Sequence, residues 1–228
     1  SGAVLGAALG LTGFAILHFF GGGATRLGVQ AVFNVLGEFT LTAIPLFILL
    51  GDVLVASGLA TGIYKAMSPL FARLRGGLLH TNIAVCTVFG AVSGSSMSVS
   101  AAVGSVAYPQ LAQRGYDRKM VVGTLAAGGT LGLLIPPSLS LLIYGALTDT
   151  SIGKLFLAGV IPGLMMSLLF MVYIEYKTRR DPSLVPREQA LPWGPTLRAA
   201  LAVWPILVLI LAVLGCLFAG IAILSQSA

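Results

Sequence analysis

The chain is a succession of apolar stretches, each close to the roughly 20 residues a helix needs to cross a hydrocarbon layer of about 30 Å, joined by short polar segments. A stretch such as 39–57, FTLTAIPLFILLGDVLVAS, shows no two-residue alternation. Inside a bilayer the backbone N–H and C=O groups must pair within each segment, so runs of this kind dictate helices and not a barrel. Only 9% of the 228 residues are charged and the mean hydropathy is +0.99, which excludes an ordinary soluble domain. The fold class is therefore an all-α integral membrane protein. The net charge of +6 calls for no nucleic-acid partner, because Lys and Arg gather in short loops on one side of a membrane.

Spans are expected at 2–21, 39–57, 154–175 and 199–224. The chain opens at Ser1 with no Met and no basic leader, so 2–21 reads as a span that has lost its beginning and not as a signal peptide. Glu38 and Asp52 mark the ends of the second span. After it, Leu59, Ile63, Met67, Leu70, Phe71 and Leu74 share one helical face while Lys65, Arg73 and Arg75 lie off it. That pattern predicts a horizontal helix in the membrane interface, bent near Pro69. Cys86 and Cys216 lie in apolar runs and read as buried free thiols, with no disulfide or resident metal expected. His18 and His80 have no acidic neighbour in the sequence and read as structural or interfacial. Trp193 and Trp204 read as interface anchors or packing residues.

Residues 78–112 carry a polar tip, VSGSSMSVS, where a span should be most apolar. As one straight helix these residues would be about 52 Å long, too long for a single crossing. Two shorter helices that meet at the serines and return to the side they came from fit better. Charge agrees: with such a re-entrant hairpin, 11 of the 13 Lys and Arg share one side, namely Lys65, Arg73, Arg75, Arg114, Arg118, Lys119, Lys177, Arg179, Arg180, Arg187 and Arg198. A single crossing would divide them nine against four. The positive-inside rule prefers the hairpin and puts its open end in the cytoplasm.

A second break follows in 119–148, where Gly128, Gly129, Gly132, Pro136 and Pro137 occupy the centre of an apolar run. The two prolines cannot donate to the carbonyls of Gly132 and Leu133. Bare carbonyls at membrane depth suit a dehydrated monovalent cation such as sodium, while a helix restarting near Ser98 offers N–H groups and a positive dipole end to an anion. The site expected from these breaks also takes in Pro136 and Ser138.

The stretches AIPLFILLGDVLVASGLA, GAVSGSSMSVSAAVGSVAYPQLAQRGYDRKM and AAGGTLGLLIPPSLSLLIYG resemble the large membrane subunit of tripartite ATP-independent periplasmic (TRAP) transporters, the DctM-like family. The resemblance implies an elevator-type secondary transporter of bacterial or archaeal inner membranes, not an enzyme and without an organic cofactor. Such a protein is made of two inverted repeats, each with a re-entrant hairpin and a discontinuous helix. It implies sodium-coupled uptake of a carboxylate such as a C4-dicarboxylate or a sialic acid, with a small DctQ-like membrane subunit and a periplasmic DctP-like binding protein as partners. The family's sodium site would map onto Ser93, Ser95, Gly132, Ile135 and Pro137, with Gly94, Ser96, Gly129 and Thr130 as neighbours. Only one hairpin and one glycine-proline break occur here, so the chain corresponds to one repeat: scaffold helices and the interfacial helix at 1–77, a transport segment at 78–148, and further spans at 149–228. After Gly220, Ile221 and Ala222 it reads ILSQSA where the family continues Thr-Pro-Thr-Glu-Ala.

Two other classes compete with this reading. A channel would use the re-entrant tip as its filter. An intramembrane serine protease would need a base near the tip, yet His80 precedes Ser93 by 13 residues, roughly 20 Å along a helix.

Overall fold

The structure is a computed structural model and describes residues 4–22, 24–37, 49, 51–53, 55–148 and 150–186, together with 204, 208, 212 and 215. Most of the spans expected at 199–224 and 39–57, with Glu38, Cys216, Trp193, Arg187 and Arg198, lie outside the described residues. Every regular element among the described residues is helical, in keeping with the all-α expectation. Two of these helical stretches, Arg118–Leu147 and Ile152–Arg180, are long and apolar enough to cross a membrane.

Residues Ser1–Ala43 and Ile44–Ala228 form separate compact units. The first contains α1 (Leu5–Phe19) and α2 (Thr25–Gly37). Helix α2 is absent from the sequence reading, which places no element at 22–38. Arg26, Gln30 and Asn34 recur every four residues along an exposed side of it and disguise a 13-residue helix as a polar join. Gly28 of α2 lets the Phe14 and Leu17 side chains of α1 approach its backbone: a Cβ there would lie 2.8 Å from Leu17 Cδ1.

In the second unit, α3 (Leu59–Phe71) is followed by α4 (Leu78–Ser93), α5 (Ser96–Gln113), α6 (Arg118–Leu134), α7 (Leu139–Leu147) and α8 (Ile152–Arg180). Helix α3 falls where the interfacial helix is expected, but its buried side is turned. Ala60, Ile63, Tyr64 and Ala66 are buried, whereas Leu70 and Leu74 are exposed. Tyr64 draws the helix round because its hydroxyl reaches inward to donate to Asn82 Oδ1 at 3.1 Å.

Helices α4 and α5 fold back on one another. Gly94 ends α4 with a left-handed φ of 60°, a conformation that costs other L-residues roughly 1–2 kcal/mol. Ser95 then caps α5. The open ends of the pair meet: the Leu78 N–H donates to the Tyr116 hydroxyl at 3.1 Å, and the Asp117 N–H donates to the Leu184 carbonyl at 3.0 Å. Asp117 in turn caps α6 by accepting from the Met120 N–H at 2.9 Å.

Helices α4 and α6 run in the same direction with a constant offset. Asn82 Nδ2 donates to Thr124 Oγ1 at 3.1 Å; four residues on, Gly128 faces Cys86; four further, Gly132 faces Gly90. A Cβ on Gly128 would lie 2.7 Å from Cys86 Sγ, and one on Gly90 only 3.0 Å from Gly132 Cα. Small residues at four-residue spacing let two backbones approach where no hydrophobic force from water can press them together. Cys86 is buried and free, as expected.

Helix α8 runs opposite to α4. Ser167 shares a 2.7 Å hydrogen bond with Thr87, and two turns later Glu175 Oε2 lies 3.4 Å from His80 Nε2. The acidic partner of His80 thus comes from 95 residues downstream, too far for local sequence reading to find. Arg179 holds Glu175 from the other side at 2.8 Å. The helix outlasts the expected 154–175 span because Lys177, Arg179 and Arg180 fill its last turn and favour the negative end of the helix dipole. It stops before Pro182, which disfavours a helical residue at Asp181.

Asn82 links three helices through Tyr64 and Thr124, and it is fully buried. Replacing Asn82 with Leu removes the acceptor of one bond and the donor of the other. The expected loss is about 1–3 kcal/mol, read as a lower melting temperature in detergent. Asn82→Asp, which keeps the acceptor and loses the Nδ2 donor, should also melt lower.

Candidate functional site

The two chain breaks meet. At the first, α4 ends at Ser93 and α5 begins at Ser96, leaving Gly94 and Ser95 as the tip. At the second, α6 ends at Leu134, the chain runs through Ile135, Pro136, Pro137 and Ser138, and α7 resumes at Leu139. The Leu139 N–H, the first donor of α7, bonds to the Gly94 carbonyl at 3.3 Å. Gly94 presses so close to Pro137 that a Cβ there would lie 2.5 Å from the Pro137 carbonyl oxygen. Gly132 approaches the tip from the other side, where a Cβ would be 3.0 Å from the Ser95 carbonyl. Backbone therefore meets backbone at both breaks, and glycine is the residue that permits it.

Of the expected site residues, the structure brings Gly94, Ser95, Gly132 and Pro137 into direct proximity, with Ile135, Pro136, Pro137 and Ser138 buried beside them. Gly129 packs against Ser96 and Ser100 of α5. Ser93 is 1% exposed and its Oγ has no hydrogen-bond partner. A lone buried hydroxyl costs about 1–3 kcal/mol, so this is a group whose surroundings suit a ligand. Ser93 also has a neighbour the sequence did not indicate: Gly51, where a Cβ would lie 3.4 Å from the Ser93 carbonyl. Thr130 stands apart, with its side chain exposed and its hydroxyl donating to Ala127 of its own helix at 2.7 Å.

Two expectations need correction in detail. The prolines were expected to free the carbonyls of both Gly132 and Leu133. The Leu133 carbonyl is instead occupied, because the Ser138 hydroxyl donates to it and Ser140 Oγ lies 3.1 Å away. Two serines just past the break thus replace the missing helix donors. At Gly132 the loss stands: Pro136 has no N–H to give, and the Ile135 N–H goes to Leu131 at 2.9 Å. The Ile135 carbonyl likewise lacks its helical partner, since the Leu139 N–H turns to Gly94.

The second correction concerns the tip. Helix α5 restarts at Ser96 and not near Ser98, and the Ser98 N–H points at the Ser95 hydroxyl at 3.5 Å. The first-turn amides left for an anion are those of Ser96 and Met97, and Met97 is 81% exposed. His80 sits at the far end of α4 beside Glu175, well removed from the serine tip.

A helical hairpin and an interrupted helix thus meet at their breaks. The family described as tripartite ATP-independent periplasmic transporter, DctM component, matches residues 1–228, and the chain belongs to it. It is 36% identical over 93% of its length to the C4-dicarboxylate TRAP transporter large permease protein DctM of Pseudomonas aeruginosa, covering 49% of that protein. Similarity also extends to the ectoine TRAP transporter large permease protein TeaC of Halomonas elongata (35% identical, 82% of this chain, 44% of that one). A third relative is the isethionate TRAP transporter permease protein DctMQ of Oleidesulfovibrio alaskensis (34%, 75% and 27%). The chain spans about half the length of the first two.

The contact between the breaks makes Gly94 the more sensitive of two glycines on the hairpin. Gly94→Ala should lower the melting temperature, since it adds left-handed strain of roughly 1–2 kcal/mol to a clash with Pro137. Gly104→Ala, where nothing lies within 4 Å of the new methyl, should leave melting unchanged or raise it slightly.

Proposed function

We propose that this chain is the substrate- and ion-binding repeat of the large permease subunit in a sodium-coupled TRAP transporter, taking an organic acid across the bacterial or archaeal inner membrane. The observation that carries the reading is the meeting of Ser93–Ser95 with the Gly132–Ser138 break. The buried Ser93 hydroxyl and the donor-less carbonyls of Gly132 and Ile135 supply neutral oxygen, which suits sodium after it sheds water. The positive end of α5, at Ser96 and Met97, suits a carboxylate. Sodium would draw the tip against the break and so order the amides that face the anion; each ligand then raises the affinity of the other by the same factor. An elevator motion would carry the hairpin and broken helix as one body, and the offset packing of α4 on α6 supports their moving together.

The partners in this reading are a small DctQ-like membrane subunit and a periplasmic DctP-like binding protein that delivers the acid. The substrate class is a carboxylate such as a C4-dicarboxylate or a sialic acid; relatives are named for C4-dicarboxylates, ectoine and isethionate. Re-entry of α4–α5 from the cytoplasmic side is supported by the joined open ends at Leu78 and Tyr116. Arg73, Arg75, Arg114, Arg118 and Lys119 flank that junction in sequence.

Two measurements test the reading. Uptake by the full-length permease, reconstituted with its small subunit and receptor, should rise with sodium and fail when choline or potassium replaces it. Equal uptake in choline overturns the sodium site. Cysteines at Leu74 and Gln113, both exposed, should react with an impermeant thiol reagent from the cytoplasmic side only. Labelling from opposite sides would exclude the re-entrant hairpin.

A further inference from the structure

Helix α8 contributes no residue to the breaks, yet it lies directly behind one of them. Gly159 and Gly163 are one helical turn apart and face the unwound backbone. A Cβ on Gly159 would lie 3.0 Å from the Leu134 carbonyl and 3.3 Å from Pro136 Cγ. One on Gly163 would lie 2.7 Å from Ile135 Cγ1 and 3.5 Å from Ile135 Cα. One turn further, Ser167 hydrogen-bonds to Thr87 on α4 at 2.7 Å, and the same helix meets His80 through Glu175. The register of α8 is therefore held by polar bonds along the hairpin arm, while its two glycines accept the break.

The break needs such a backing. Residues 135–138 are outside any helix, and their own hydrogen bonds hold only the edges: Ile135 N–H to Leu131, Ser138 to Leu133, and Leu139 N–H to Gly94. Nothing in that set locates the Ile135 side chain or tilts its peptide plane. The side chain of Ile135, 6% exposed, rests in the notch left by Gly163. Packed interiors do not absorb even one added methyl freely, so a side chain at 163 must push Ile135 and turn its carbonyl.

We infer that Gly159 and Gly163 are positioning residues for the ion site: by leaving a notch for Ile135 and Pro136, they fix the direction of the Ile135 carbonyl and so set sodium affinity from a helix that never touches the ion. The inference rests on the proposed sodium reading. It makes Gly163 dominant, because the methyl of an alanine there meets Ile135 itself, whereas at Gly159 the closest atom is the flexible end of Leu141.

The test uses the full-length permease reconstituted with its small subunit and receptor, with uptake measured against sodium concentration and melting followed in sodium-free detergent. Gly163→Ala should raise the half-saturating sodium concentration about tenfold, equivalent to about 1.4 kcal/mol, with the maximal rate at saturating sodium largely kept. Gly159→Ala should give a smaller shift in the same direction, and Gly153→Ala, with only Ser151 Oγ at 4.0 Å, none. The decisive variant is the double substitution of Gly163→Ala with Ile135→Ala, which removes the Cγ1 that the new methyl would meet. Trimming Ile135 keeps its backbone carbonyl and makes room for the methyl, so sodium affinity should return toward wild type. If Gly163→Ala lowers melting or maximal rate while the sodium half-saturation stays put, or if Ile135→Ala gives no rescue, the positioning role is refuted and the sodium site stands. Should Gly163→Ala fail to fold, Gly159→Ala alone decides, an unshifted half-saturation again refuting the role. Sodium-independent uptake by the wild type would instead overturn the site itself, and this inference with it.

Discussion

Close approach of backbone to backbone is the constraint on which the second compact unit depends. At the two breaks, carbonyl and amide groups must sit beside one another deep in a chain of this hydropathy, and only residues without side-chain bulk allow it. Gly90 meets Gly132, Gly94 meets Pro137, and Gly132 meets Ser95. The rest of the unit is arranged to hold these contacts. Asn82, accepting from the Tyr64 hydroxyl and donating to Thr124, sets the register of α4 on α3 and α6, and two turns of helix carry that register to the glycines.

The site that results is asymmetric in its chemistry. Its carbonyls come from the ends of helices, where the helix dipole is negative, and its amides from a helix beginning, where the dipole is positive. Serines divide the labour: Ser95 caps, Ser138 and Ser140 occupy the Leu133 carbonyl, and Ser93 keeps a buried hydroxyl without a hydrogen-bond partner. A proline pair removes donors, and a serine pair restores part of what was removed. The consequence is that the Leu133 carbonyl is occupied, while those of Gly132 and Ile135 are left without their helical donors.

Helix α8 shows how a neighbouring element controls such a site. It bonds to the hairpin at Thr87, places Glu175 beside His80, and yields to the break at Gly159 and Gly163. A helix that grips one partner through polar groups and accommodates another through missing side chains couples the two. Movement of the hairpin arm would therefore be felt at Ile135.

Sequence alone determined the features that depend on local chemistry. Apolar run length demanded helices, since no other local structure satisfies a backbone in lipid. The Gly-Ser tip and the Gly-Pro break announced interruptions, because proline lacks a donor and glycine tolerates a left-handed turn. What sequence could not decide is which groups meet across distance. The burial of Tyr64 in place of Leu70 and Leu74, the pairing of His80 with Glu175, the capture of the Leu133 carbonyl by Ser140, and the notch at Gly163 all depend on partners set by packing. Helix α2 is hidden in the sequence for a related reason, its polar stripe resembling a join. A helical face has many positions that could turn inward, and a freed carbonyl many donors that could reach it; only the three-dimensional arrangement selects among them, since the energy that decides lies in contacts between residues far apart in the chain.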